Sequence, residues 1–98
     1  MTAKGYWVVH LDVTDVAAYA KYRAFVQPFL ARNGGRFLVR GGEQSVTEGA
    51  VKPRTVVVEF PSYADATRLY YGAEYQEGLK LRTAVSAADF TIVEGYED

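Results

Sequence analysis

Three stretches of this chain carry apolar side chains on both sides of an extended backbone: Tyr6-Trp7-Val8-Val9, Val56-Val57-Val58 and Phe90-Thr91-Ile92-Val93. A strand with one solvated face alternates apolar and polar residues, and these do not, so both faces of the sheet they form require cover. Only two segments have helical periodicity, and two helices cover one face. A second copy of the chain is the expected cover for the other.

The order of elements follows from local signals. A strand over residues 6–13 ends at Thr14-Asp15, where the hydroxyl can cap a helix and the acid can sit in its first turn. Val16, Tyr19, Tyr22, Val26, Phe29 and Leu30 then recur at helical spacing as one apolar stripe. Pro28 removes a hydrogen bond inside that helix, which predicts a bend near Ala24. Asn33-Gly34-Gly35 supplies a left-handed stop. Residues 36–40 are short and strand-like, and Gly41-Gly42 marks a bulge or sharp turn after them. The polar stretch Glu43 to Pro53 is long for a hairpin, which suggests that it reaches toward a partner subunit. A third strand covers 55–60. Ser62 with Asp65 three residues on opens a second helix, which Gly72 interrupts before it resumes over 74–85. A last strand covers 90–95. The expectation is an α+β, ferredoxin-like βαββαβ sandwich: one domain over residues 1–98, with a four-stranded antiparallel sheet and two helices on one face.

Composition excludes more than it assigns. A chain of 98 residues buries roughly 60–70% of its unfolded surface, enough for one modest core. A formal charge of −1 leaves no electrostatic footprint for nucleic acid or anionic lipid. No apolar run approaches the roughly 20 residues that span a bilayer, and Met1-Thr2-Ala3-Lys4-Gly5 lacks the apolar stretch of a signal peptide, so the cytoplasm is the default location. Cysteine is absent and His10 is the single histidine, which removes thiolate chemistry and the usual ligand sets for a metal. No cofactor is expected.

Four groups of residues remain as candidates for chemistry. By alternation His10 shares a side with Tyr6, Val8 and Asp12; it can serve as an acid or base in a cavity under the helices, or be satisfied by a backbone or carboxylate partner. Arg40 and Arg54 flank the long connection and come close if their strands pair through it. Like charges held together need an acid between them, and Glu48, Glu59 or a bound carboxylate can serve. Tyr71 and Tyr75 stand on either side of the Gly72 break, where their hydroxyls can orient a polar ligand or simply fill core and interface. Arg82, two helical turns beyond Tyr75, either pins its helix or completes a polar pocket. The serines and glycine pairs fit neither a nucleophile elbow nor a phosphate loop.

The chain resembles the small bacterial proteins of domain-of-unknown-function family 1330, in the dimeric α/β-barrel superfamily. The likeness runs nearly end to end, through Val13-Thr14-Asp15 with Tyr19 and Tyr22, GGRFLVRGG at residues 34–42, Glu48-Gly49, RTVVVEFPS at 54–62 and YYGAEYQ at 70–76. Family members often carry tryptophan-tyrosine-asparagine-serine where this chain has Leu69-Tyr70-Tyr71-Gly72-Ala73, so one pocket hydroxyl is missing. The resemblance implies a ferredoxin-like protomer whose sheet packs on its twin. Related families include cofactor-free monooxygenases, haem-degrading enzymes, lactone isomerases and dehydratases, and fold analogy does not choose among them. Haem is disfavoured, since the histidine lies on the first strand. The functional expectation is a homodimer that binds a small aromatic, anionic or carbonyl compound, anchored by Arg40 and Arg54 with Tyr71 and Tyr75 orienting it. It is either a cofactor-free oxygenase or isomerase, or a non-catalytic binding or structural protein.

Overall fold

The computed structural model describes residues 3–97; Met1, Thr2 and Asp98, and with them the first residues of the leader expectation, lie outside the described residues. The elements are β1 (Gly5–Val13), α1 (Val16–Arg32), β2 (Arg36–Arg40), β3 (Arg54–Phe60), α2 (Tyr63–Tyr71), α3 (Ala73–Thr83) and β4 (Ser86–Glu94). The four strands form one antiparallel sheet in the order β2-β3-β1-β4, the arrangement of a ferredoxin-like α+β fold. The shortest dimension, 17 Å, holds one sheet and one helical layer.

Helix boundaries obey the local chemistry, with one exchange of roles. Asp15, not Thr14, caps α1: its Oδ1 accepts from the Ala18 amide at 3.0 Å. Pro28 sits inside α1, which continues as a single helix of 17 residues to Arg32. Gly34, at φ +80°, provides the left-handed stop, and the Gly35 amide returns to the Leu30 carbonyl at 2.8 Å. Ser62 caps α2 as expected, its Oγ accepting from the Asp65 amide at 3.0 Å. The interrupted second helix is two helices, because Gly72 is extended, with φ −67° and ψ 153°. The last strand begins at Ser86, four residues earlier than its apolar run suggests, because Ala87 to Asp89 continue the pairing with β1.

All three helices cover one face of the sheet. Trp7, Val9 and Leu11 of β1 and Val58 and Phe60 of β3 point into the core, where they meet Tyr19, Tyr22, Val26, Phe29 and Leu30 of α1 and Ala66, Leu69 and Tyr75 of α2 and α3. Trp7 is the hub of this aromatic core, with ring centroids 4.8 Å from Phe60 and 4.9 Å from Tyr75, and its Nε1 donates to the Ala66 carbonyl at 2.8 Å. Among the described residues no helix covers the opposite face; the loop of residues 41–53 lies against its His10–Thr55 end. Cross-strand register sets Val39, Val57 and Val8 side by side there, with Val93 beside Tyr6 in the next row. Val39 and Val93 remain 41% and 44% exposed.

Candidate functional site

A cleft opens between α1 and the inner face of the sheet. Strand alternation points Trp7, Val9 and Leu11 of β1 and Val56 and Val58 of β3 to its floor, and the α1 stripe supplies Tyr19, Tyr22, Val26 and Leu30 as its wall. Its cavity volume is about 40 Å³. The slot is therefore thin, and it is lined with rings from Trp7, Phe37 and Phe90.

Four guanidinium groups also line it: Arg23, Arg40, Arg54 and Arg82. Arg54 begins β3 on the inward side, in register with Leu11. Arg40 reaches the same side through a bulge. The pairing of β2 with β3 shifts between Phe37 and Val39, so Phe37 and Arg40, three residues apart, both face inward, and the guanidinium carbon of Arg40 lies 4.3 Å from the Phe37 ring centroid. The bulge thus falls within β2, not at Gly41-Gly42. Gly41 has another task. At φ +68°, a side chain there would place its first carbon 2.2 Å from an Arg54 terminal nitrogen, so the bare glycine is the seat of that guanidinium.

Arg82 closes the inner end. It is 6% exposed, its guanidinium carbon stands 5.5 Å from the Tyr22 ring centroid and 5.7 Å from that of Phe90, and its Nε is buried without a hydrogen-bond partner. The Nε of Arg54 is likewise buried and unpartnered. Among the described residues no carboxylate forms a salt bridge with any of the four cleft arginines; the ion pairs are Arg32–Glu74, Lys52–Asp89, Arg68–Asp65 and Lys80–Glu77. Arg40 has one neutral partner, Gln27 Oε1, to which it donates at 3.2 Å. Guanidinium keeps its charge in any protein environment, so the burial of Arg82 without a counter-ion is costly unless an anion repays it; Arg40 and Arg54 are half-buried and Arg23 is exposed, where water does part of that work.

Behind the wall the Tyr22 and Tyr75 hydroxyls share a hydrogen bond of 2.7 Å. Burial, then the adjoining Tyr75 hydroxyl, pushes the Tyr22 phenol far above its ordinary range, and burial raises Tyr75 too. Both hold their protons to higher pH in the folded chain than at the unfolded value near 10.0. Their contribution is therefore complete below that pH and is lost as pH rises through it. Stability measured by denaturant unfolding is expected to fall above pH 10 by about 1.4 kcal/mol per pH unit for each hydroxyl. Tyr22→Phe should flatten that decline; an unchanged slope would remove Tyr22 from the account.

The structure divides the seven residues singled out from sequence. Arg40, Arg54 and Arg82 line the cleft, and Tyr75, fully buried, stands behind it. Tyr71 does not join them: it is 70% exposed and rests edge-on against Tyr70, because the α2–α3 break turns it outward. His10 is not under the helices. Trp7, Val9 and Leu11 take the inward positions of β1, which leaves His10 on the open face, in a hollow it shares with Glu48 and the loop of residues 41–53. There Gln44 Nε2 donates to the Lys52 carbonyl at 3.0 Å, so its Oε1 accepts from the Thr55 hydroxyl at 2.5 Å. Thr55 Oγ1 is left to accept from His10 Nδ1, 3.1 Å away. Neither arginine meets the expected acids. Glu48 is exposed and makes no salt bridge among the described residues, and Glu59 accepts from the Tyr6 hydroxyl at 3.1 Å. Sequence reading missed Tyr19, Tyr22, Arg23 and Phe37 as cleft residues; the available signal was two tyrosines in a stripe otherwise without polar atoms, whose hydroxyls need partners when buried. Among the described residues there is no group of three or more His, Cys, Asp or Glu able to hold a metal, and no helix is long and apolar enough to cross a membrane.

The profile of one family, Domain of unknown function (DUF1330), matches residues 4–96. No curated protein matches the chain. Among solved structures, the chain is similar to RPA0582, a protein of unknown function from Rhodopseudomonas palustris, at 17% identity and TM-score 0.77, over 100% of this chain and 86% of that one. It is also similar to SnoaB, a cofactor-independent oxygenase from Streptomyces nogalater, at 13% identity and TM-score 0.65, over 99% and 97% of the two chains. A candidate antibiotic biosynthesis monooxygenase from Caulobacter crescentus CB15 aligns at 16% identity and TM-score 0.61, over 98% and 92%. At these identities the likeness establishes the fold.

Proposed function

We propose a function from the premise that the chain belongs to the DUF1330 family, whose description assigns no activity, so the reading rests on the cleft. The protein binds a small, partly aromatic molecule bearing an anionic or carbonyl group between α1 and the sheet. One observation carries this: the cleft arginines have no carboxylate partner, and two of them bury an unpartnered Nε. A purely structural role would pair the buried Arg82 and the half-buried Arg54 internally, since an uncompensated buried cation is costly. The catalytic form of the reading is a cofactor-free oxygenase or isomerase, and a fold shared with a cofactor-independent oxygenase supports it by analogy. The cytoplasm is the setting we propose.

The functional unit is a homodimer joined through the open sheet face, where Val8, Val39, Val57 and Val93 lack cover. His10 and Glu48 then belong to the interface, not to the cleft. Thermal-shift titration with aromatic acids and lactones tests the binding. A ligand at one hundred times its Kd adds about 2.7 kcal/mol of apparent stability, and Arg54→Gln should abolish the shift. No shift with any acid or lactone, or a shift that survives loss of Arg54, counts against the cleft. Sedimentation tests the dimer, which Glu48→Gln should weaken if the loop meets the partner.

A further inference from the structure

The cleft can hold negative charge, but it has nothing with which to create it. From the binding reading above we infer that its ligand arrives already ionised: a flat carboxylate, acidic enol or acidic phenol that has given its proton to water before it enters. The inventory of facing groups decides this. From β1 and β4 the cleft receives Trp7, Val9, Leu11 and Phe90, none of which titrates. From β2, β3 and α3 it receives the guanidinium groups of Arg40, Arg54 and Arg82, and from α1 that of Arg23; none of them can take up a proton. The remaining titratable groups are the hydroxyls of Tyr19 and Tyr22, with Tyr75 behind, and the Tyr22–Tyr75 pair stays protonated across the working range. Asp12 stands outside the cleft, exposed in an adjoining hollow that Arg23 and Arg54 also border. The histidine lies across the sheet. No group lining the cleft is therefore a general base at neutral pH, since such a base needs a pKa near the operating pH and reach to the proton it removes.

Arg82 gives the anion its place. It is buried at the inner end with an unpartnered Nε, beside the Tyr22 ring, so an oxyanion that reaches it leaves water for a charge-assisted hydrogen bond. Phe37, Phe90 and Trp7 give a thin slot that suits a planar body. The chemistry that follows binding is chemistry of a preformed carboxylate, enolate or phenolate held against fixed positive charge.

The test is isothermal titration of the full-length protein with phenols of graded acidity, and with benzoate against benzamide, across pH 6 to 9. For each phenol, affinity should rise about tenfold per pH unit below that phenol's own pKa and then level off, and benzoate should bind where benzamide does not. Arg82→Gln should weaken the anions at least tenfold; if that variant does not fold, Arg54→Gln at the half-buried mouth makes the same comparison. Affinity that is flat across a phenol's pKa, or benzamide binding as well as benzoate, would overturn the inference while leaving the binding reading intact. If no member of the panel binds, both fall.

Discussion

Trp7→Ala is expected to cost about 3–5 kcal/mol of stability, a large share of the roughly 5–15 kcal/mol that a domain of this kind has. The indole is 1% exposed and contacts the rings of Phe60, Tyr75 and Phe90, so its loss leaves a cavity under α2 and α3. It also removes the indole's hydrogen bond to the Ala66 carbonyl of α2. Trp7→Phe separates the two effects: it keeps a ring but removes the Nε1 donor, and should cost about 0.5–1.5 kcal/mol for that hydrogen bond. Urea unfolding measures both. A midpoint for Trp7→Ala within about 1 kcal/mol of the parent would mean that the core collapses around the missing ring, and Trp7 would lose its place as hub.

Neighbouring valines on β3 should give opposite phenotypes when changed to aspartate. Val58 is buried under the helices, so Val58→Asp places a carboxylate with no partner in the core, costs several kcal/mol and should prevent folding of the protomer. Val57 faces the other way, between Val8 and Val39. Val57→Asp should leave the far-ultraviolet circular dichroism spectrum unchanged while shifting the protein to monomer at micromolar concentration. A parent protein that sediments as a monomer, or a Val57→Asp variant that remains dimeric, would show that the open face is not where two copies meet.

Much of this architecture was legible in the residues because it depends on short-range rules. Ser62 before Asp65, Asn33-Gly34-Gly35 after the α1 stripe, and Gly72 between two helical runs each act within one helical turn, and the structure uses all three as stops or starts. Two-sided apolar strands likewise signalled a sheet that the helices cover on one side only. Among the candidate site residues, Arg82 was legible through its two-turn spacing from Tyr75, and Arg40 with Arg54 through the strand pairing that brings them together.

What the sequence could not decide by itself was which side of the sheet each group would take. Alternation tells that His10 opposes Trp7, Val9 and Leu11, but only packing determines which set goes under the helices, and the larger apolar set won. That choice sends His10 to one face and, through the β1–β3 register, Arg54 to the other. Arg40 turns inward only because a bulge within β2 adds a residue, and Arg54 finds room only because Gly41 has no side chain where its guanidinium lies. Both depend on atoms brought together from distant parts of the chain. The residues present were enough to determine the elements and their order, since helix caps, turns and periodicity act locally; the arginine cleft is a property of register and close packing, which exist only once the sheet has formed.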